Sequence, residues 1–570
     1  MITVLNGKNS TAGLTWIFFR HDNRWSILTR TAFRRRFPNS ILCMTTESQS
    51  SRGYVTDVAY LPGYYPYMEP SAIRYVAALQ GVSSRPVHAG YRCLELGCGY
   101  GETLLTLAAA NPNATFTGVD FLPDHADAIR TVVANTGLQN VDMLCCDFAD
   151  FPSDRGHYDL ITLHGVWSWV APELRSTLLE LISRHLADDG LVEVTYNCMP
   201  GWASLLPVRS LIRHFADHAT GNSLEKVQAA LTTVAAMRKA DIPLFHDQPL
   251  AAELIDKLLS HDPHYIAHEY LNQHWSAFEC AEVMEMFAGI GLTYAARLPA
   301  HHNHWQLLAH QSFADHFTGI DAATAELRKD IHKNTMFRWD VFSRQPREAW
   351  LPHERGERTP DLFFRVAANA SLPHVAQFGQ IKVGIADSPH EELLAVMGEQ
   401  SWTLTELLEA PGLAAFSPET ITEAVDFAVA LSLLRVEGGP VAADAAANAS
   451  RIAGGQLTVP LAYNQQLLAK ATLSGKKTAF ASPLTRGGHT LGDLHVLLLD
   501  ELLQRGREGL ELRLATRLQA TGKHLRHHAT GSVVEHVAEM AAALEEIVLS
   551  FLETELPELC RLGIVVAQSP

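Results

Sequence analysis

Residues 92–102 have the composition of a ligand-binding turn, because a short apolar run meets three alternate glycines, Gly97, Gly99 and Gly101. A helical pattern over residues 103–110 follows at once. Glycines allow positive φ and a close approach of the backbone to a ligand, and the first N–H groups of a helix favour a negative group. The stretch is therefore predicted to be a strand, a tight turn and a helix N-terminus that binds a nucleotide-like ligand.

Glu95 and the glycine spacing separate the candidate ligands. Neither the dinucleotide fingerprint Gly-x-Gly-x-x-Gly nor a P-loop ending in Gly-Lys-Ser/Thr is present in this stretch. Glu95 stands just before the first glycine, where it would repel a pyrophosphate and attract an ammonium group. The pattern Glu-x-Gly-x-Gly-x-Gly resembles motif I of class I S-adenosylmethionine (SAM) methyltransferases, whose ligand carries an amino acid and a sulfonium and no phosphate. The resemblance implies that SAM contacts Glu95 and the turn, namely Gly97, Cys98, Gly99 and Gly101.

Two further acids are expected to hold SAM. Asp120 ends a second β-rich run about twenty residues beyond the glycines, where an acid can accept hydrogen bonds from both ribose hydroxyls. The resemblance implies that Asp147 contacts the adenine amine and that Phe148 packs on the ring. An Asx turn that closes the third strand is the alternative interpretation of Asp147. The predicted SAM-binding set is completed by Phe121 and His164.

Aromatic stretches follow the fourth and fifth predicted strands, at residues 164–170 and 197–202. An amine acceptor needs a polar group that orients the neutral nucleophile, and aromatic walls that desolvate the ammonium form and attract it by cation–π contacts. The predicted catalytic residues are His164, Tyr196 and Asn197. The predicted substrate-binding residues are Trp167, Trp169, Trp202, Tyr65 and Tyr67. Each of two assignments has an alternative that stays open. For Trp169 the alternative is a place in the core, and for the tyrosine-rich loop at residues 60–67 it is packing that covers the face of a domain.

Strands that alternate with helices over about 150 residues must position these side chains. Beyond the first strand, strands are predicted at residues 114–120, 141–146, 158–163 and 191–196, with helices between them. This alternation predicts an α/β fold with an open, mostly parallel, doubly wound sheet that binds ligands at the carboxyl ends of its strands. Together with the resemblance to class I methyltransferases, it gives an expected fold class of a Rossmann-like class I methyltransferase domain, followed by helix-rich regulatory and winged-helix-like C-terminal domains.

The resemblance becomes more specific at four segments: Leu-Glu-Leu-Gly-Cys-Gly-Tyr-Gly, Gly-Val-Asp, His-Gly-Val-Trp-Ser-Trp-Val and Thr-Tyr-Asn-Cys-Met-Pro-Gly-Trp. Together they are similar to bacterial class I SAM methyltransferases that carry a methyltransferase regulatory domain. Protein-lysine methyltransferases that act on bacterial outer-membrane proteins are among these relatives. The match covers residues 54–218 closely, and residues 268–275 and 337–342 resemble landmarks of the regulatory region.

Length and composition limit the classes of partner. With 570 residues and a formal charge of -17, the chain is too long for one core and too acidic for non-specific nucleic-acid binding. The eight cysteines are scattered without a C-x-x-C pair, which favours buried thiols in a reducing cytoplasm. No apolar run reaches the length needed to span a bilayer. We expect a cytoplasmic protein with a protein substrate and no nucleic-acid partner, and a homodimer is compatible with this expectation.

The domain boundaries follow from shifts in composition and pattern along the chain. An Arg-rich N-terminal stretch is expected to be disordered or an over-long start, and an acidic helical module near residue 400 is expected to contact protein rather than phosphate. The predicted regions are 1–43 (start), 44–218 (methyltransferase), 219–310 (helical regulatory domain), 311–384 (connecting segment), 385–437 (winged-helix-like module), 438–455 (linker) and 456–570 (helical C-terminal domain).

The histidine-rich stretches are not expected to bind metal. His268-Glu269 lacks the second histidine that H-E-x-x-H requires, and the other groups lack carboxylates or cysteines at ligand spacing. Those groups are His301, His302 and His304, and His524, His527 and His528. Three functions remain open: a SAM-dependent protein methyltransferase acting on lysine, a small-molecule or glycan O-methyltransferase, and a SAM-binding sensor or scaffold without turnover.

Overall fold

The computed structural model describes residues 53–87, 90–368, 370–379, 381–385, 388–441, 457–473, 475–523, 525–526 and 533–567. Among these residues no helix combines the length and the apolar character that a membrane span requires. The predicted start at 1–43, the linker from residue 442 onward and the histidines 524, 527 and 528 lie outside the described residues.

Eight strands form one central sheet. They are β1 (Arg92–Leu96), β2 (Thr115–Asp120), β3 (Val141–Cys145), β4 (Tyr158–Leu163), β5 (Leu186–Cys198), β6 (Ala277–Phe278), β7 (Thr293–Leu298) and β8 (Phe337–Ser343). The order is β3-β2-β1-β4-β5-β8-β7, and β6 pairs with the end of β5. Strands β1 to β5 run parallel, whereas β8 is antiparallel to both β5 and β7. The first five strands therefore form the predicted Rossmann-like half of a mixed sheet.

Helices cover both faces of this sheet because both faces are apolar. Consecutive residues Cys93 and Leu94 of β1 enter different core clusters, as expected from the alternation of side chains along a strand. One cluster also contains residues of α1 (Pro70–Leu79), α2 (Glu102–Ala110) and α3 (Pro123–Thr136). The other contains residues of α4 (Pro172–His185) and α10 (Cys280–Ala288), and α11 (Ala322–Lys333) packs against it.

A helical layer follows β5 and has its own core. It consists of α5 (Leu206–Asp217), α6 (Ser223–Lys239), α7 (Pro243–Asp247), α8 (Pro249–Leu258) and α9 (Pro263–Tyr270). Asn222 caps α6 through a capping box with Glu225, which fixes where that helix begins. Strand β7 lies in the region predicted as a helical regulatory domain, and β8 lies in the predicted connecting segment. Residues 219–343 therefore complete the central sheet as well as adding helices.

Arg338 of β8 lies at the centre of a buried charge network. Its guanidinium donates hydrogen bonds to Asp330 at 2.7 Å, to Asp340 at 2.9 Å and to Glu326 at 2.9 Å. Asp330 also accepts a hydrogen bond from Arg297 of β7 at 2.9 Å. These interactions join α11, β7 and β8, and the pairing of β8 with β5 connects them to the parallel part of the sheet.

The module beyond the sheet contains the helices α12 (Pro352–Arg358), α13 (His390–Met397), α14 (Leu404–Leu408) and α15 (Pro418–Ala430). Its strands form two antiparallel pairs, β9 with β12 (Phe363–Val366 with Leu434–Glu437) and β10 with β11 (Val375–Phe378 with Ile381–Gly384). Asp426 of α15 is one of the carboxylates that make this module acidic. It is buried, where it binds Arg355 through two 2.7 Å contacts and accepts a hydrogen bond from Tyr75 at 2.9 Å. The winged-helix assignment stays a prediction.

The C-terminal region is mainly helical and has a separate apolar core. Its helices span Ala462–Ala469, Asp493–Arg505, Leu510–Ala520, Val537–Ser550 and Leu556–Arg561, with a π-helical turn at Phe551–Glu555. Among the described residues it also contains three antiparallel strand pairs: β13–β18 (Leu457–Thr458, Val566–Ala567), β14–β15 (Lys477–Ala481, Gly488–Gly492) and β16–β17 (Leu525–Arg526, Val533–Val534). Arg365 of β9 joins this region to the preceding module, because it binds both Glu437 of β12 and Glu558 of the last helix at 2.8 Å.

Candidate active site

A cavity of about 550 Å³ lies at the carboxyl ends of β1 to β4. Its volume falls within the roughly 300–1,000 Å³ typical of small-molecule sites. The segment from Gly53 to Tyr65 and the C-terminal end of α9 also line it. Of the predicted site residues, the following line the cavity: Glu95, Gly97, Cys98, Gly99, Gly101, Asp120, Phe121, Asp147, Phe148, His164, Trp169 and Tyr65.

The turn between β1 and α2 needs glycine for two distinct reasons. Gly97, Gly99 and Gly101 have φ of 77°, 55° and 71°, which side chains rarely tolerate. A Cβ on Gly97 would lie 2.5 Å from Val166 Cγ2, whereas a Cβ on Gly99 would meet nothing within 4 Å. The first glycine is thus required for packing, and the second leaves the backbone accessible to a ligand.

The carboxylate of Asp120 is held in a fixed orientation at the end of β2. One oxygen accepts the Gly99 N–H at 2.9 Å, and the other accepts the Leu122 N–H at 3.0 Å and lies 3.1 Å from His125 Nδ1. The oxygen that accepts the Gly99 N–H has no second partner among the described residues, so a lone pair remains for a ligand hydroxyl. Backbone N–H groups therefore orient this acid for the ribose role predicted from the sequence.

Asp147 ends the segment after β3 and forms a local turn. Its carboxylate accepts the Ala149 N–H at 3.0 Å, so the Asx turn weighed from the sequence is present. Both Asp147 and Phe148 nevertheless line the cavity. The turn and the predicted adenine contact are compatible, because the turn fixes the position of the side chain at the cavity wall.

Glu95 is a buried acid whose pKa is raised to about 8, chiefly by burial and further by the neighbouring Asp120 carboxylate. It therefore carries a proton at neutral pH in the free protein. An ammonium group bound beside it would favour the ionised form, so binding would release that proton.

We expect SAM affinity to rise about tenfold from pH 6 to pH 8, because Glu95 must lose its proton as the ligand binds. Above about pH 8 affinity should fall, since the α-amino group of the ligand loses its own charge. Titration calorimetry measures this profile. Glu102 and Glu269, with pKa values of about 7 and about 8, titrate in the same window, so Glu95→Gln isolates the contribution of Glu95. An unchanged acid limb in this variant would contradict the assignment.

His164 is a neutral imidazole in the wall of the cavity. Burial lowers its pKa to about 3, and its Nδ1 has no hydrogen-bond partner among the residues that the structure describes. The ring lies against Tyr65, with centroids 3.8 Å apart. A neutral histidine can accept a hydrogen bond without repelling a sulfonium or an ammonium group.

The end of α9 and the residues after it supply a part of the cavity that the sequence did not predict as a site. His268, Glu269 and Asn272 line it together with Gln273 and His274. Asn272 Oδ1 accepts the Val55 N–H at 2.8 Å, and His268 Nε2 lies 3.0 Å from the Val58 carbonyl oxygen. These contacts attach the N-terminal segment to α9. The sequence feature that could have indicated this part of the cavity is the resemblance of residues 268–275 to a landmark of the regulatory region.

Five of the predicted residues do not line this cavity, and their expected positions are corrected by the structure. Tyr196 is fully buried in the core, where its hydroxyl donates a 2.5 Å hydrogen bond to Asp340. The N–H of Asn197 donates to Ser168 Oγ at 2.8 Å, also in the interior. The other three are Trp167, packed on Phe287, Trp202, packed on Tyr270 and Trp275, and Tyr67, packed on Trp339.

No group of three or more His, Cys, Asp or Glu side chains with the geometry of a metal site occurs among the described residues. His302 is buried with a lowered pKa, as expected for an imidazole in an apolar environment beside Arg297.

The fold and the cavity together define a class I SAM-dependent methyltransferase. The glycine turn, the oriented Asp120 and the acid beside the turn fit an amino-acid-bearing ligand with a ribose and no phosphate. A family model described as a methyltransferase domain matches residues 93–190, and one described as a predicted methyltransferase regulatory domain matches residues 262–344. The chain is a SAM-dependent methyltransferase with a regulatory domain.

Relatives extend this likeness along the chain. An uncharacterized protein of Synechocystis, sll1526, is 27% identical over 519 residues, which cover 90% of this chain and 99% of that protein. An uncharacterized protein of Rickettsia prowazekii, RP789, is 28% identical over 238 residues, or 41% of this chain and 42% of that protein. The structure of PKMT2 from Rickettsia typhi in complex with AdoHcy superposes with a TM-score of 0.66 at 15% identity, covering 89% of this chain and 100% of that one.

Proposed function

We propose that this enzyme methylates lysine side chains of a protein substrate in the cytoplasm. The observation that carries the proposal is the composition of the cavity wall away from the glycine turn, where Tyr54, Tyr60, Tyr65 and Trp169 present aromatic rings. Such rings accommodate the aliphatic stem of a lysine and attract its ammonium group. The described cysteines are all free, as suits a reducing compartment.

The rim of the cavity supports a polypeptide substrate over a small one. Phe121, Glu173 and Gln273 line the cavity and are exposed to solvent, so a long side chain could enter while its main chain stays outside. Acidic Glu173 at this rim favours a basic segment. The resemblance to bacterial protein-lysine methyltransferases and the similarity of the overall fold to PKMT2 agree with this choice.

SAM carries its methyl group on a sulfonium. An amine can attack this methyl group in line with the S–C bond and displace the sulfur. The residues of this chain bind and orient the reactants: Asp120 holds the ribose, the glycine turn contacts the amino-acid portion, and His164 offers a neutral imidazole to the incoming amine. The tyrosine rings exclude water from the amine, which favours its neutral, nucleophilic form.

Incubation with methyl-labelled SAM and a bacterial lysate tests the proposal. We expect the label in the protein fraction, and acid hydrolysis should release it as methyl-lysine. A matched reaction with Asp120→Ala serves as the negative control. Label found only in small molecules or glycans would support an O-methyltransferase instead, and absence of label despite SAM binding would support a sensor.

A further inference from the structure

Helix α9 of the regulatory region places one acid, Glu269, in the wall of the cavity. The side chain is half-buried, and among the described residues no donor forms a hydrogen bond or salt bridge with its carboxyl group. Its oxygens are also not among the buried polar atoms that lack partners, so they are accessible from the cavity. The carboxyl group is therefore open to a ligand.

The surroundings of Glu269 are aromatic. Its charge contributes to the raised pKa values of Tyr54, Tyr60 and Tyr65 from the N-terminal segment and of Tyr265 and Tyr270 from its own helix. All of these phenols stay neutral at physiological pH, because burial raises their pKa values further. Tyr54, Tyr60 and Tyr65 line the same cavity as Glu269, so an alkylammonium group bound at this carboxyl group would meet aromatic walls.

Arg209 of α5 is the cation that acts on Glu269, and it is engaged elsewhere. Its guanidinium donates to the Asn272 carbonyl oxygen at 3.0 Å and lies over the Trp275 ring at 4.7 Å. Burial accordingly outweighs Arg209 and raises the pKa of Glu269 to about 8. A half-buried carboxyl group without a close cation is costly to ionise in the free cavity, so an incoming cation would be bound strongly.

We propose that Glu269 binds the ammonium group of the methyl acceptor and accepts its proton. The regulatory domain would then supply a substrate-binding and catalytic side chain to the methyltransferase cavity. This inference deepens the proposed function and rests on it for the choice of an amine as acceptor.

The proposed step is balanced as written. The Glu269 carboxylate takes a proton from R–NH₃⁺ and becomes a carboxylic acid, leaving R–NH₂ with a free electron pair. That pair forms the new N–C bond to the methyl carbon, while the S–C bond breaks and its electrons remain on sulfur. The product is R–NH₂⁺–CH₃, and no oxidant or reductant is needed.

Position distinguishes Glu269 from the acids assigned to SAM. Glu95 lies in β1 and Asp120 is the last residue of β2, whereas Glu269 lies in α9. Tyr65 lines the same cavity as both groups, and its ring packs on His164. The acceptor amine at Glu269 would therefore be held by a different element from the acids assigned to SAM.

The test compares the wild-type protein with Glu269→Gln, both loaded with AdoHcy, using n-butylammonium as the probe and n-butanol as its neutral counterpart. Ligand-observed NMR at pH 8 gives the two affinities. We expect the wild type to prefer n-butylammonium and the variant to lose at least tenfold in affinity for it, with n-butanol unchanged. Glu285→Gln, an exposed acid on α10, is the matched control and should behave as the wild type.

The inference would be overturned if the wild type showed no preference for the amine, or if Glu269→Gln bound the amine as tightly as the wild type. It would also be overturned if SAM affinity fell by more than about threefold in Glu269→Gln, because Glu269 would then belong to the donor site. Failure of the proposed function is a separate result. If protein lysine is not labelled but the probe still binds through Glu269, the substrate assignment fails and the amine site stands.

The pH dependence of turnover provides a second readout. In the wild type kcat/KM should rise with pH to a midpoint near 8, as Glu269 becomes able to accept a proton in the presence of Arg209 and the five tyrosines. In Glu269→Gln the midpoint should move toward that of the free amine, about 10.4. An identical profile in the two proteins would contradict proton transfer to Glu269.

Discussion

Asp120→Ala is expected to weaken SAM binding about 100-fold. The Asp120 carboxylate is oriented by the N–H groups of Gly99 and Leu122, and we expect it to accept hydrogen bonds from the ribose hydroxyls. Hydrogen bonds to a charged group contribute about 1.5–3 kcal/mol each, and a loss of roughly 3 kcal/mol corresponds to about two factors of ten in affinity. Titration calorimetry with SAM and with AdoHcy measures the loss.

The matched control for this prediction is Asp124→Ala. Asp124 is exposed in the first turn of α3, only four residues away, and does not line the cavity. Its replacement should leave SAM affinity unchanged. If Asp120→Ala keeps its wild-type affinity while its melting temperature shows that it is folded, the ribose assignment is wrong.

Arg338→Met is expected to cause the largest loss of stability. Arg338 is fully buried and forms salt bridges with Asp330, Asp340 and Glu326. Removing one partner of a buried ion pair costs about 3–5 kcal/mol, because the remaining charges lose their compensation. For a domain of this size that corresponds to a fall of roughly 6–20 °C in melting temperature, measurable by calorimetry.

Tyr196→Phe provides a graded comparison within the same network. It removes one hydrogen bond to Asp340 and leaves every ion pair of Arg338 in place, so a loss of about 1–3 kcal/mol is expected. SAM affinity should stay close to that of the wild type. A melting temperature of Arg338→Met no lower than that of Tyr196→Phe would show that the network contributes little.

The boundary predicted at residue 218 illustrates a limit of local patterns. Residues 54–218 contain the alternating strands and helices of a parallel sheet, and they end where helices begin. Strand β8 lies some 140 residues beyond β5 in the chain, yet it pairs with β5 along seven residues. Such antiparallel pairing over a long separation depends on packing, which no short window of sequence contains.

Tyr196 shows the same limit at the scale of one side chain. Both faces of β5 are buried, so its apolar pattern does not reveal which residues point to which side. In the structure Thr195 accepts the Gly165 N–H at 2.8 Å, while Tyr196 points to the Asp340 side. The strand end was identified from the sequence, but the direction of the side chain was set by neighbouring strands.

The sequence by itself determined the class of enzyme and the turn at which we expect the donor to bind. The spacing of Gly97, Gly99 and Gly101, the adjacent Glu95 and the acid that ends β2 are local features, because each lies where a strand meets a turn. Their chemistry follows from backbone geometry that only a few residues can adopt. These features required no knowledge of distant contacts.

Only the tertiary structure decided which residues form the rest of the cavity wall. Packing of α9 against the N-terminal segment brings Glu269 and Tyr60 into the cavity, and packing of β8 against β5 removes Tyr196 from consideration there. The physical reason is that a side chain acquires its role from the surfaces that bury it, and those surfaces come from segments far apart in the chain.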